Sequence, residues 1–291
     1  MMNTNRNFAL FLVLPALAVM LIMTVWPMLS TVYYSFTDFR LLRRNISFIG
    51  LKNYISLLTN EYFLASVWNT VKFTLLTVIF EVVLGFFTAL YVNSLKSLRL
   101  QKILRTVILL PYLFPTVTVA LSWRMMLSPN YGIVNQFLAS LNLPVYNWFR
   151  DIHTAFGMLV VIDVWQNTPF VFLMLYAAMQ SIPTDQYKAA RIDGAGTLAQ
   201  IWYITIPNLK TALTLCTLLR TIDTFRIFDK VNLLTGGGPA GSTTTITQYI
   251  YNNGIKSLKF GIGSTCAIIM TFLVLILSSM YIKDVMNQKV W

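Results

Sequence analysis

The chain has 291 residues, of which 56% are hydrophobic and 11% charged, and it carries a net charge of +12. Soluble domains carry about 25% charged residues, so a water-facing fold cannot hide this much apolar surface. The composition points to an integral membrane protein. The Lys and Arg lie mostly between apolar runs, where they act as topology signals and contacts for anionic lipid rather than for nucleic acid.

A spanning helix needs about 20 mostly apolar residues. Asn7–Thr37 contains no charge and predicts a retained first span over roughly 8–32, longer than a secretory signal core. The loop at about 33–68 is basic at Arg40, Arg43, Arg44 and Lys52 and leaves room for a short amphipathic helix within "LKNYISLLTNEYFLASV". Between Lys72 and Lys96 the single charge is Glu81, which gives the second span, with Glu81 read as a structural hydrogen-bond partner. Thr106–Trp123 gives a third, bent or loosened by Pro111 and Pro115. Thr154–Thr184 has one charge, Asp163, and holds the fourth; Phe260–Ile282 gives the last. Leu209–Leu234 is the hard case, since Arg220, Asp223, Arg226 and Asp229 follow a short apolar run. It reads as a span whose charges face a wet interior. The expectation is therefore an all-α membrane protein with six transmembrane helices, one domain over residues 1–291, and a loop at about 182–208 between the fourth and fifth. The bias of Lys and Arg favours cytoplasmic N- and C-termini: Arg6, Lys96, Arg99, Lys102, Arg105, Lys188, Arg191, Lys210, Lys283 and Lys289 on that side outnumber those of the outer loops, although the first outer loop is basic too.

The polar loop has its own grammar. Pro183 can open a helix and Asp185 places negative charge in its first turn. Tyr187, Ala190 and Arg191 share a face, Ala189 and Ala190 allow close approach, and Gly194 suits a left-handed terminus. Thr197 is expected to cap a second helix with an apolar face of Leu198, Ile201 and Trp202, closed by Pro207. Two readings stand: an amphipathic loop lying on lipid headgroups, or a knob that docks into a soluble partner.

Chemistry is sparse. Cys216 and Cys266 lie in apolar stretches and His153 is the single histidine, so no metal site and no hydrolytic set is expected. Gly236–Gly241 has P-loop glycine spacing, but Ser242 follows and no Gly-Lys pair occurs. Those glycines read as a turn. Arg220, Asp223, Thr224 and Ile227 fall at i, i+3, i+4 and i+7, a polar helix face suited to sugar hydroxyls. Arg220 and Asp223 are equally read as pairing with each other, and Arg220 with Arg226 also admits an anionic substrate.

"YKAARIDGAGTLAQIWYITIP" resembles the EAA loop of permease subunits from binding-protein-dependent ABC importers. Ala189, Ala190, Asp193, Gly194, Ala195, Ile204 and Pro207 match the pattern, with Tyr187 beside it; Lys188 stands where the family usually has Glu, and Ile201 where it often has Phe. "IGLKNYISLL", "WNTVKFT", "LLPYLFP", "YGIVNQFL", "VWQNTPF" and "LLTGGGPAGSTTTITQYIY" resemble sugar-permease signatures in the same order, the last of them those of a MalF-like subunit. The resemblance implies transport of a sugar or oligosaccharide across the bacterial inner membrane. It implies a MalG-like second permease, two ATP-binding cassette ATPases that hold ATP and magnesium, and an extracytoplasmic solute-binding protein. It also implies that the 220–227 face touches sugar together with Asp163, Gln166, Asn167 and Phe170, whose ring would stack on a pyranose. The competing reading is a stand-alone ion-coupled sugar carrier, which needs no docking knob.

Overall fold

The computed structural model describes residues 2–43 and 45–287, with the side chains of 11–43 and 45–283. Three cations of the topology argument, Arg44, Lys289 and the side chain of Arg6, lie outside it. The fold is helical. Its elements are α1 (Met2–Ser35), α2 (Lys52–Leu58), α3 (Glu61–Ser94), α4 (Leu98–Leu113), α5 (Thr116–Met126), α6 (Ile133–Ser140), α7 (Ala155–Gln180), α8 (Thr184–Ile192), α9 (Thr197–Gln200), α10 (Ile206–Phe225), α11 (Asp229–Leu234), α12 (Ile246–Ile250) and α13 (Phe260–Asn287). In lipid a backbone must satisfy its own polar groups, which is why the apolar runs fold as helices. Among the described residues four helices, in α1, α3, α7 and α13, are long and apolar enough to cross a membrane; α4 and α5 together make a fifth if read as one broken span.

Three boundaries sharpen or correct the sequence reading. The third span, expected to be bent or loosened, is bent: two helices meet at 91°, with the break at Phe114–Pro115. Proline disfavours helical conformation in the residue before it: Phe114 has ψ 138° and Pro115 itself ψ 138°, so two successive extended residues turn the chain. Pro111 stays inside α4. The hard case is also split. α10 ends at Phe225 and α11 begins at Asp229, so Ile227 lies beyond the helix and does not continue the face of Arg220 and Thr224. Finally, Pro207 closes nothing. A π turn, Ile201–Thr205, joins α9 to α10 without a break, and Pro207 sits in the first turn of α10 directly after it, so the helix runs through the proline.

The chain forms two compact units, residues 1–64 with 249–272, and 65–248 with 273–291. In the first, Thr265 Oγ1 donates to the Ser35 carbonyl (3.0 Å), Gly261 N–H to Phe39 O (2.9 Å), and Asn53 Nδ2 to Thr37 O (2.8 Å). These bonds tie the end of α1 and the start of α13 to α2. In the second, α7 is the central strut, packed on α4 and α10. One half of α7 joins an apolar cluster with Phe73, Val119, Leu127 and Val231; the other joins Ala89, Val92, Leu209 and Cys216. A Cβ on Gly85 of α3 would stand 2.7 Å from Val171 Cγ1, so a glycine is what lets α3 lie against α7 there.

Candidate functional site

Four buried charges of the second unit meet at the middle of α7. Glu81 from α3, Asp163 from α7, Arg220 from α10 and Lys230 from α11 are all buried, between 0% and 4% exposed. Arg220 holds Glu81 with both forks of its guanidinium, Nε to Oε2 at 2.7 Å and Nη2 to Oε1 at 3.0 Å. The same Nη2 reaches Asp163 Oδ2 at 3.4 Å, and Lys230 Nζ donates to Asp163 Oδ1 at 2.5 Å. Asn167 Nδ2 adds a bond to Asp163 Oδ1 at 3.0 Å. Two acids and two bases cancel. That balance is what makes burial tolerable, since an isolated charge away from water is far more costly than a paired one.

One member reaches water. Asp223 accepts from Arg220 Nη1 at 3.5 Å, the longest contact of the set, and its side chain is 62% exposed. It borders a cavity of about 250 Å³ with Tyr112, Thr116, Asn167, Arg226 and Asp229. Arg226 and Asp229 are exposed there, while Arg220 and Lys230 form the wall with their charges already engaged.

Six of the eight residues expected along a solute path thus come together: Asp163, Asn167, Arg220, Asp223, Thr224 and Ile227 line this cavity. Their roles differ. Thr224 spends its hydroxyl on the Arg220 carbonyl (2.8 Å), and the Ile227 carbonyl accepts from Thr245 and Thr247. Gln166 and Phe170 do not line it. Gln166 Nε2 donates to the Phe114 carbonyl (3.0 Å), an acceptor left over where Pro115 breaks the helix. Phe170 packs on Tyr112 with ring centroids 5.8 Å apart, and Trp165 on Trp123 at 5.5 Å. Arg220 pairs weakly with Asp223 and chiefly with Glu81. Lys230 went unread in the sequence. The signal was a third base within eleven residues, following Arg220 and Arg226, that needed a buried acid.

The polar loop is a second, open site. α8 starts after Pro183, with Asp185 in its first turn, and ends in a Schellman motif: Ala195 N–H donates to Ala190 O (2.8 Å) and Gly194 N–H to Arg191 O (3.1 Å), with Gly194 at φ +79°. Thr197 is not a cap; Gly196 holds that position and Thr197 is the first residue of α9. Lys188, Ala189, Asp193 and Gly194 are exposed, and Tyr187, Ala190 and Ala195 half-buried. Tyr187 Oη and Thr205 Oγ1 lie 3.0 Å apart, so α8 is pinned to the π turn. Leu198 and Trp202 are left at the surface, 74% and 65% exposed. Lys188 reaches back to Asp185 at 2.9 Å, and the surrounding hollow, about 940 Å³, is lined also by Tyr91, Asn93 and Gln180.

The turn from Thr235 to Thr244 is a built loop. Gly236, Gly237 and Gly241 have positive φ, Thr244 Oγ1 donates to Gly237 O (2.9 Å), and Asn69 Nδ2 donates to Gly241 O and Thr244 O (3.2 and 3.1 Å). Among the described residues no group of His, Cys, Asp and Glu is arranged to hold a metal.

The model of the family "Binding-protein-dependent transport system inner membrane component" matches residues 81–291. The trehalose/maltose transport system permease protein MalF of Thermococcus litoralis is 37% identical over 278 residues, 94% of this chain and 91% of its own. The sulfoquinovosyl glycerol transport system permease protein SmoG of Agrobacterium fabrum is 33% identical over 285 residues, 98% of this chain and 92% of its own. Among solved structures, a chain of a bacterial alginate ABC transporter, in complex with an alginate pentasaccharide-bound periplasmic protein, superposes with a TM-score of 0.84. It covers 96% of this chain and 94% of its own at 23% identity, a likeness of fold.

Proposed function

The chain belongs to the family of binding-protein-dependent transport system inner membrane components, and from that premise we propose how its parts work. It is a multi-pass membrane permease subunit of an ABC importer for a sugar or oligosaccharide. The observation that carries this reading is the match to sugar-importer permeases along 94% of the chain. It folds as one transmembrane domain with six passes, α10 being the polar fifth, and keeps both termini in the cytoplasm. A solute-binding protein delivers sugar at the outer face. A second permease completes the path, and two ATPase subunits supply ATP hydrolysis with their own magnesium. This subunit has no ATP site of its own.

Each part follows from local chemistry. Around the 250 Å³ cavity Asp223, Asp229, Arg226, Asn167, Thr116 and Tyr112 offer acceptors and donors to a polyol. At its rim one cation faces two acids, which suits an uncharged sugar better than an acidic one. On the other site, the Ala189 and Ala190 face, squared off by the Gly194 turn, fits a groove of the ATPase. Tyr187 and the π turn carry the push into α10. Lys188, Asp193 and Ala195 border that contact, and the reversed charge at Lys188 calls for an acid in the partner's groove.

The test is uptake and ATPase co-purification by Ala189→Asp and Gly194→Pro variants of the assembled transporter. Both activities are expected to fall together. Uptake that persists without any ATPase and collapses with an uncoupler would instead identify an ion-coupled carrier. For the cavity, Asp223→Ala and Arg226→Ala are expected to raise KM for neutral sugars; a selective loss of acidic sugars in Arg226→Ala would reverse the preference.

A further inference from the structure

The basic loop after α1 runs against the charge bias that orients the chain, so its cations need another reason to be there. Four lie close in the first unit: Arg40, Arg43, Lys52 and Lys259. Arg43 has a partner, Asp38, at 3.3 Å, and Asp38 also accepts the Ser47 N–H at 2.7 Å. Nearby Lys256 lies over the Tyr251 ring at 5.2 Å. Arg40, Lys52 and Lys259 have no such side-chain partner among the described residues. Instead all three line one cavity of about 280 Å³, together with Phe39, Ile49 and Ile262 and with Asp38, whose carboxylate is already engaged by Arg43 and the Ser47 N–H.

The height of this cavity is fixed by its neighbours. α1 ends at Ser35 and α13 begins at Phe260, and the two are tied there by the Thr265–Ser35 and Gly261–Phe39 bonds. An aromatic belt surrounds the same place. Tyr34 packs on Phe39 (4.7 Å), Phe39 on Phe260 (5.3 Å) and Phe36 on Tyr54 (5.5 Å). Of these, Tyr34 and Tyr54 are the amphipathic rings that gather at headgroup level, because one end of that layer is apolar and the other wet. Three unpaired cations in a partly apolar hollow at that depth match a phosphate diester with the start of its acyl chains, and a fully aqueous anion would have no use for the apolar wall.

We propose that this cavity is a binding site for an anionic phospholipid headgroup, with Arg40, Lys52 and Lys259 holding the phosphate. The site anchors the junction of α1, α2 and α13, and it explains the basic loop without reference to which side of the membrane it faces. The experiment uses the full-length chain in its transporter complex, extracted into nanodiscs of phosphatidylcholine with or without phosphatidylglycerol. Retained lipid is counted by native mass spectrometry. Wild type is expected to keep phosphatidylglycerol in preference to phosphatidylcholine, and each of Arg40→Gln, Lys52→Gln and Lys259→Gln to weaken it about fivefold. A control, Lys256→Gln, removes a cation engaged with the Tyr251 ring and outside the cavity lining, and is expected to keep the lipid. The wild-type arm needs no variant to fold: no preference for phosphatidylglycerol overturns the proposal. So does equal loss in the control, which would mean diffuse charge. Stabilisation by inorganic phosphate equal to that by phosphatidylglycerol would make this a free-phosphate site. Loss of solute-binding-protein capture with lipid retention unchanged would make it a protein contact.

Discussion

The middle of α7 and the tip of α8 both carry ion pairs, and the two are built to opposite ends. At the middle, Arg220, Glu81, Asp163 and Lys230 come from four helices, are shut away from water, and satisfy one another. At the tip, Lys188 and Asp185 come from one turn of one helix and stay 70% and 87% exposed. The first set joins helices and has little left over for a ligand. The second joins nothing, so its charges and the alanines beside them remain available to another subunit. Charge in a membrane protein is thus informative only once its burial is known: the same residue types make a clamp in one place and a recognition surface in the other.

The largest expected effect breaks the clamp. Lys230→Met leaves Asp163 buried with half its neutralising charge, and losing one partner of a buried pair costs about 3–5 kcal/mol. Thermal unfolding in detergent should show that loss, and adding Asp163→Asn should recover part of it. Strict additivity of the two substitutions would mean that the pair is not coupled. Next is the contact of α3 with α7. Gly85→Val puts new atoms into Val171 and is expected to cost about 1–3 kcal/mol, with Val171→Ala restoring stability in the double variant. Gly194→Ala comes third, since a side chain at φ +79° costs about 1–2 kcal/mol; it should loosen the α8 turn and weaken ATPase capture while the rest of the unfolding transition holds. Smallest in stability is Lys188→Ala, an exposed pair whose loss leaves the melting temperature unchanged. Its effect is expected on ATPase affinity instead. A drop in stability comparable to Lys230→Met would erase the contrast between the two regions.

Much of this was legible in the residues. The uncharged runs over 8–32 and 260–282 had to be spans, and the Pro183, Asp185 and Gly194 punctuation of α8 could be read because it is local: each residue acts on its own turn. The position of Glu81 as a structural partner was also readable, since a lone acid in a span needs a base. What failed was what depends on distant neighbours. Gln166 and Phe170 share the helical spacing of Asp163 and Asn167, yet Gln166 turns to the Phe114 carbonyl and Phe170 to Tyr112. Spacing assigns residues to a face, but α4 and α10 decide which part of that face meets water.

Composition and charge pattern by themselves determined that the chain lives in a membrane as helices and where its polar loop lies. These follow from transfer energies and turn preferences that a short segment carries alone. Only the tertiary structure decided that the bend at Pro115 amounts to 91°, that a π turn makes α9 and α10 continuous, and that Lys230 completes a neutral cluster with residues 67, 10 and 149 positions away. Those outcomes rest on burial and on the match of charge to charge across helices, and neither exists until the helices have packed.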